Sequence, residues 1–223
     1  MLLRMNDISI AELRTEAEIL TASLPAGEAL DTLSAALVTL AVAVSVTALD
    51  RARIKDAIRS AMEAGASVAQ VQEIIALVSG LGVHSLMVSS VIVLEEAATR
   101  GLARPVEPLA AESQQLWDKH VGSDPFWDSF SQELPGFLDA MLRLSPDIFV
   151  GFFEYCAIPW RSGTVRARVK ELAALVCDAA PSHRFRPGFR VHLKNAIKLG
   201  VERKAILQAL DIAAAAPVHR GTD

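Results

Sequence analysis

The stretch that decides the fold runs from Arg168 to Gly221 and reads RVKELAALVCDAAPSHRFRPGFRVHLKNAIKLGVERKAILQALDIAAAAPVHRG. Its apolar residues recur at intervals of three and four, the spacing that aligns them along one face of an α-helix. Alternating β-branched runs bounded by hairpin turns, which would indicate strands, are missing from this stretch and from the rest of the sequence. The sequence therefore predicts an all-α fold, with three successive helices in this stretch.

The same periodicity predicts helices along nearly the whole chain. In the opening stretch and just before it, helices are predicted near 163–180, 187–199 and 201–216. Earlier in the chain they are predicted near 8–23, 28–48, 50–64, 67–80, 83–99, 109–119, 124–142 and 145–157. Ser145 and Pro146 are typical of a helix start, and Gly65 and Gly80 of helix ends.

An earlier part of the chain resembles the opening stretch. At one constant offset, 36–85 aligns with 171–220 without a gap and with a shared apolar pattern. The polar connection 100–107 contains a proline and is the best candidate for the junction between the two halves. The sequence therefore predicts a tandem pseudo-repeat, with copies at 1–104 and 105–223.

The amino-acid composition is typical of a globular protein that does not bind nucleic acid. The chain has 223 residues, of which 52% are apolar and 22% charged, a balance typical of a packed globule and not of a disordered chain. A net charge of −4 provides no basic field that would attract nucleic acid. We therefore expect no nucleic-acid partner, and the high apolar share favours association of the chain with copies of itself.

Two features bear on localisation. We expect the longest apolar stretch to be 35–49. It has about 15 residues and is too short to cross a bilayer as a helix. Residues 1–20 include several charged side chains and so lack the apolar centre of a secretory signal. We therefore expect a cytoplasmic protein with no membrane partner.

Glu171 and His192 are the polar residues best suited to chemistry. Glu171 lies on an otherwise apolar helix, where an ionised carboxylate is costly without a partner. His192 lies on the next helix, and a helical hairpin could bring the two together as a general acid/base pair. The first copy has Ala36 and Ala57 at the aligned positions. The alternative is a solvated Glu171 and a core histidine at 192.

Further polar and aromatic residues could bind a ligand. Arg186 and Arg190 could clamp an anion, although a solvated basic loop is the alternative. His183 could contact a ligand or be an exposed turn residue. Trp160 could wall a pocket, although aromatic residues of this kind usually pack in a core.

The cysteines and histidines do not form a recognised metal or redox pattern. Cys156 and Cys177 are the two cysteines of the chain, and no Cys-x-x-Cys pair exists. No set of histidines and carboxylates has a known zinc spacing, so no metal is predicted. Both cysteines are best read as small core residues.

Two segments of the second half carry a family resemblance. They read LSPDIFVGFFEYCAIPWRSGTVRARVKELAALVCDAA and FRPGFRVHLKNAIKLGVERKAILQALDIAAAAPVHRG. The distinctive elements are Pro146-Asp147, Lys170-Glu171-Leu172, Arg190-x-His192, Gly200 and Pro217. These segments resemble the carboxymuconolactone decarboxylase family, which also contains the alkylhydroperoxidase AhpD. The resemblance implies an AhpD-like helical bundle.

The resemblance also implies an activity. It implies loss of carbon dioxide from a small carboxylated lactone, such as 4-carboxymuconolactone, or from a related oxo-acid in aromatic-compound catabolism, without a cofactor. It implies that Arg190 or Arg186 fixes the substrate carboxylate, that His192 donates the proton and that Glu171 orients His192. Because the family often forms trimers or hexamers of one-repeat chains, a homotrimer is expected here.

Two other functions stay open at this point. An AhpD-like thiol peroxidase is disfavoured, because the family's two cysteines would align with Phe185 and Gly188. A non-catalytic, oligomeric small-molecule-binding protein is the other alternative. It would be favoured if Glu171 and His192 lay far apart.

Overall fold

The computed structural model describes residues 8–103 and 105–219. Its elements in chain order are α1 (Ile10–Leu20), α2 (Thr32–Val44), α3 (Arg51–Glu63), α4 (Val68–Ser79), a 3-10 turn (Gly80–Val83), α5 (His84–Thr99), α6 (Ala111–His120), α7 (Pro125–Glu133), α8 (Phe137–Leu144), α9 (Pro146–Arg161), α10 (Ala167–Ala179), α11 (Arg186–Lys198) and α12 (Arg203–Ala214). No strand occurs among these described residues. The all-α prediction is confirmed.

The chain forms two compact units. The first comprises the described residues of 1–79 and 162–223, with helices α1 to α4 and α10 to α12. The second is Gly80–Arg161, with the 3-10 turn and helices α5 to α9. The predicted division into 1–104 and 105–223 concerns sequence copies rather than compact units, and it stays a prediction.

Helix α10 is the centre of the first unit. All its residues from Val169 to Ala179 are buried, and it packs against α2, α4, α11 and α12. A helix surrounded on all sides by other helices must give any charged side chain a partner, because an unpaired buried charge is very costly. The buried Lys170 and Glu171 of α10 have such partners on other helices.

Three helices of the first unit recur at the offset that aligns 36–85 with 171–220. Shifted by this offset, the bounds of α2, α3 and α4 coincide with those of α10, α11 and α12, respectively. The backbone between them recurs as well. Leu49 and Arg184 both have left-handed φ angles, of 46° and 51°, and Gly65 and Gly200 follow α3 and α11 with φ angles of 94° and 76°. The helix-ending role predicted for Gly65 is confirmed.

The two groups of three helices exchange equivalent hydrogen bonds. Leu30 N–H donates to Gln208 Oε1 at 2.7 Å. Val165, which aligns with Leu30 at the same offset, donates its N–H to Glu73 Oε2 at 3.3 Å. Glu73 in turn aligns with Gln208. The two groups of helices thus contact each other through equivalent positions, and the tandem repeat stays a prediction.

The second unit has an aromatic core. Phe137 and Phe149 are fully buried, and Phe152 is nearly so. Ser145 Oγ accepts a hydrogen bond from Ile148 N–H at 3.3 Å, so the predicted cap of α9 is confirmed. The aromatic residues of α9 thus include core residues of this unit.

One predicted helix of the second unit is wrong. The segment 124–142 forms α7 and α8 instead of a single helix. Pro135 cannot extend α7 because it lacks the N–H that the helix needs, and Gly136 takes a left-handed φ of 75° before α8 begins. Gly80 directly follows Ser79, the last residue of α4, as predicted, and begins the 3-10 turn.

The apolar run from Val68 to Thr99 is longer than the stretch 35–49. By length and composition alone this run of 32 residues could cross a membrane, and a core helix of a soluble protein passes the same test. The sequence expectation that 35–49 is the longest apolar stretch is therefore wrong. The absence of a membrane partner stays a prediction.

Candidate active site

Glu171 and His192 are in direct contact. The Oε2 atom of Glu171 on α10 lies 2.7 Å from Nδ1 of His192 on α11. Asn195, one helical turn after His192, donates from Nδ2 to Oε1 of Glu171 at 3.2 Å. Both carboxylate oxygens are thus engaged, which fixes the carboxylate group and with it the plane of the imidazole ring.

A tight connection between α10 and α11 produces this contact. His183 N–H donates to Ala180 O at 2.8 Å, and Arg184 takes the left-handed conformation that reverses the chain. Phe185 N–H then donates to Asp178 O at 2.8 Å, and Pro187 lies in the first turn of α11. Helix α11 therefore returns along α10, with His192 opposite Glu171.

Burial and charge set the protonation of the pair. Glu171 is 6% exposed, and the side chain of His192 is 21% exposed. Burial lowers the pKa of His192, but the hydrogen bond and negative charge of Glu171 outweigh it and leave that pKa above its ordinary value. The imidazole can therefore hold a proton near neutral pH while part of the side chain stays exposed.

A second carboxyl group, Asp178, lies on the other side of the ring. Its Oδ2 atom is 3.9 Å from Nε2 of His192, and the residue is completely buried. Burial raises the pKa of Asp178 to about 7, and the neighbouring charge of His192 opposes that rise. At neutral pH, Asp178 therefore exists in both its neutral and its charged form.

Arg186 and Arg190 bind a carboxylate of the chain itself. Arg190 Nε donates to Oε1 of Glu16 on α1, and Arg186 Nε lies 3.8 Å from Oε2 of the same residue. These three residues line a hollow of about 600 Å³ between α1 and α11. In this structure Glu16 is the carboxylate beside the two arginines, and their role as a clamp for a substrate carboxylate stays a prediction.

The other two predicted ligand contacts lie in different surroundings. His183 is partly buried, with Nε2 3.8 Å from Oδ1 of Asp178, and burial lowers the pKa of His183. Trp160 lies on α9 in the second unit and is 39% exposed. Ligand contacts for both residues stay predictions.

Neither cysteine has the properties of a redox thiol. Cys177 is fully buried, and burial raises its pKa well above the ordinary value. Burial also raises the pKa of Cys156 to about 11. Since the thiolate is the reactive form, both residues suit packing better than peroxide chemistry.

The sequence interpretation missed Asp178 and Asn195. Both could have been found by helical spacing, because Asp178 follows Glu171 by seven residues and Asn195 follows His192 by three. These intervals return a side chain to the same face of a helix. A polar residue that shares a face with a candidate acid or base is therefore the signal to look for.

Comparison with known proteins identifies one informative relative in structure. No family model matches the chain, and no match is found among curated proteins. A crystal structure from Burkholderia xenovorans, provisionally named a gamma-carboxymuconolactone decarboxylase subunit, matches with a TM-score of 0.72 and 24% identity. The match covers 93% of this chain and 91% of that one. The two proteins therefore share an all-α fold over nearly their full lengths.

Proposed function

We propose that the protein is a cofactor-independent decarboxylase that acts on a small carboxylated lactone, such as 4-carboxymuconolactone, or on a related oxo-acid. The observation that carries the proposal is the 2.7 Å contact between Glu171 and the Nδ1 atom of His192. A carboxylate on one ring nitrogen orients an imidazole and raises its basicity for proton transfer through the other nitrogen. The name of the structurally similar protein supports the same class of reaction.

The reaction needs a proton donor but no electron-accepting cofactor. In an unsaturated lactone, the bond to the carboxylate carbon breaks and carbon dioxide leaves. The electron pair of that bond moves through the ring double bond to the lactone carbonyl, which forms a dienolate. Protonated His192 then gives its Nε2 proton to carbon, which completes the product and leaves a neutral imidazole that solvent reprotonates.

Arg190 and Arg186 are assigned to the substrate carboxylate. For this role, Glu16 must leave the two guanidinium groups when substrate arrives. The exchange replaces one carboxylate with another, so the arginines keep a negatively charged partner throughout. Substrate binding and displacement of Glu16 are therefore coupled in this proposal.

We also propose a cytoplasmic homotrimer that works in the catabolism of aromatic compounds. Exposed apolar side chains on α5, Val88, Ile92 and Val93, each about half exposed, support contacts between subunits. Light scattering of the purified protein tests the assembly, and a monomeric mass would reject the trimer.

The test of the proposed function is turnover of candidate lactones by the wild type, by His192→Ala and by His219→Ala. His219 is exposed, so its replacement is a matched control for loss of an imidazole. We expect His192→Ala to reduce kcat by about a hundredfold or more, as for loss of a general acid, and His219→Ala to keep the wild-type rate.

Two results would reject the proposal. Equal rates for the wild type and His192→Ala would remove His192 from the mechanism. Absence of turnover for every carboxylated lactone and oxo-acid tested would instead favour a non-catalytic binding protein, for which calorimetry with the same compounds provides the assay.

A further inference from the structure

We propose that Asp178 is a positioning residue of this site, whose carboxyl group lies against the Nε2 side of the His192 ring and keeps that ring in place. The placement of Asp178 is observed, whereas its part in turnover rests on the proposed function. The inference starts from helix geometry. Glu171 and Asp178 are seven residues apart, which puts their side chains on one face of α10, about 10.5 Å apart along the axis.

The imidazole of His192 lies between these two side chains. Its Nδ1 atom lies 2.7 Å from Glu171 Oε2, and its Nε2 atom lies 3.9 Å from Asp178 Oδ2. One ring thus lies between two carboxyl groups that are two turns apart on the same buried helix. Removal of either carboxyl group leaves the ring supported from one side.

Gly188 makes room for the Asp178 carboxyl group. A Cβ atom at position 188 would lie 2.3 Å from Asp178 Oδ2, far inside a normal contact. Gly188 is one helical turn before His192, so a side chain there would lie beside the ring. In this chain the space is filled from α10 instead, by a carboxyl group that is fully buried.

The pKa shifts of the two groups fit this placement. Burial raises the pKa of Asp178 to about 7, and the charge of His192 opposes that rise. Burial lowers the pKa of His192, but Glu171 and, to a smaller extent, Asp178 outweigh it and leave that pKa above its ordinary value. Each group therefore shifts the pKa of the other toward its charged form.

Three other titratable groups of the first unit face this cluster. His183 Nε2 is 3.8 Å from Asp178 Oδ1, Cys177 precedes Asp178 on α10, and Glu171 accepts at Nδ1 of His192. Burial lowers the pKa of His183 and raises that of Cys177, so both groups are predominantly neutral at pH 7.

The test is ¹⁵N NMR of the full-length protein at pH 7, as wild type, Asp178→Asn and Asp56→Asn. Signals of the His192 ring are assigned by their loss in His192→Gln. Asp56 forms an exposed ion pair with Arg59 on α3, so Asp56→Asn is a matched control for loss of one carboxyl group. We expect Asp178→Asn to shift the His192 ring signals toward the neutral, Nδ1-protonated form, and Asp56→Asn to leave them unchanged.

The same variants separate this inference from the proposed function. With a lactone that the wild type decarboxylates, we expect Asp178→Asn to lower kcat about tenfold or more and to change KM by less than about twofold. Ring signals no more altered than in Asp56→Asn would overturn the inference, and so would an unchanged kcat. If the wild type decarboxylates no lactone, the proposed function fails while the NMR comparison still decides the placement of Asp178.

A reciprocal measurement covers the case in which Asp178→Asn does not fold. In ¹³C-labelled protein, His192→Gln is expected to move the carboxyl signal of Asp178, whereas His219→Gln is not. An Asp178 signal that is the same in both variants would overturn the inference.

Discussion

The three helices α2 to α4 and the three helices α10 to α12 have the same lengths and the same spacing but different polar residues. The backbone features are kept, including the left-handed glycines that follow α3 and α11. The chemical groups of the candidate site are present only in α10 to α12. At the three aligned positions, α2 to α4 have alanine: Ala36 for Glu171, Ala43 for Asp178 and Ala57 for His192. Helices α2 to α4 therefore have the same backbone arrangement as α10 to α12 but lack the residues of the candidate site.

The first prediction concerns the buried ion pair between the two groups. Lys170 Nζ lies 2.5 Å from Glu73 Oε1, and both side chains are at most 5% exposed. The aligned residues of the other group, Ala35 and Gln208, are uncharged. We expect Lys170→Ala to reduce the free energy of unfolding by about 3–5 kcal/mol, because it leaves Glu73 buried without its cation. Urea unfolding measures the loss.

The double variant Lys170→Ala/Glu73→Gln sharpens that test. It copies the uncharged pair of the other group, and a glutamine at 73 can still accept from Val165 N–H as Gln208 accepts from Leu30 N–H. We expect it to be more stable than Lys170→Ala alone. If it is less stable, the two groups of helices do not use equivalent contacts.

The second prediction concerns pH. The pKa of Asp178 is about 7 in the folded protein and about 3.9 in an unfolded chain. Its contribution to stability is therefore fully present below about pH 4 and is lost as the pH rises to 7 and above. We expect the free energy of unfolding of the wild type, relative to Asp178→Asn, to fall by roughly 2–4 kcal/mol between pH 4 and 8.

Comparison with Asp178→Asn isolates the titration of Asp178 together with its effect on His192, because carboxylates away from the site titrate alike in both proteins. The pKa of Glu73, for example, is lowered: burial opposes this shift, but Lys170 and Ser162 outweigh it. A difference between wild type and variant that is constant with pH would contradict the buried, protonatable state of Asp178.

The third prediction concerns replacement of a candidate-site residue by the alanine found at the aligned position of the first group of helices. Glu171→Ala reproduces Ala36 and removes the carboxylate that orients His192. We expect kcat for lactone decarboxylation to fall about a hundredfold, equivalent to about 2.7 kcal/mol, with a smaller change in KM. Glu63→Ala, at an exposed position on α3, is the matched control and should keep the wild-type rate.

The sequence predicts the scaffold better than the site. Periodicity and the glycine at 65 locate helices within a few residues, because these signals are local. Partners that meet only after folding leave no such signal. Glu16 is 174 residues from Arg190, and nothing in its own helix indicates that it binds an arginine of α11. Spacing places Asp178 on the same face of α10 as Glu171, but the space that Gly188 of α11 leaves for its carboxyl group is visible only in the folded chain.

The last and smallest expected effect is the destabilisation caused by alanine at the two left-handed glycines. It tests whether these glycines contribute equally to the stability of the two groups of helices. Gly65 and Gly200 have φ angles of 94° and 76°, and a Cβ atom at either would meet no atom within 4 Å. The cost of alanine is therefore backbone strain alone, about 1–2 kcal/mol at each position. We expect Gly65→Ala and Gly200→Ala to lower the midpoint of urea unfolding by similar amounts. The dependence of the free energy of unfolding on urea concentration should not change. If only Gly200→Ala is destabilising, α3 is held less firmly than α11, and the first group has lost rigidity together with its polar residues.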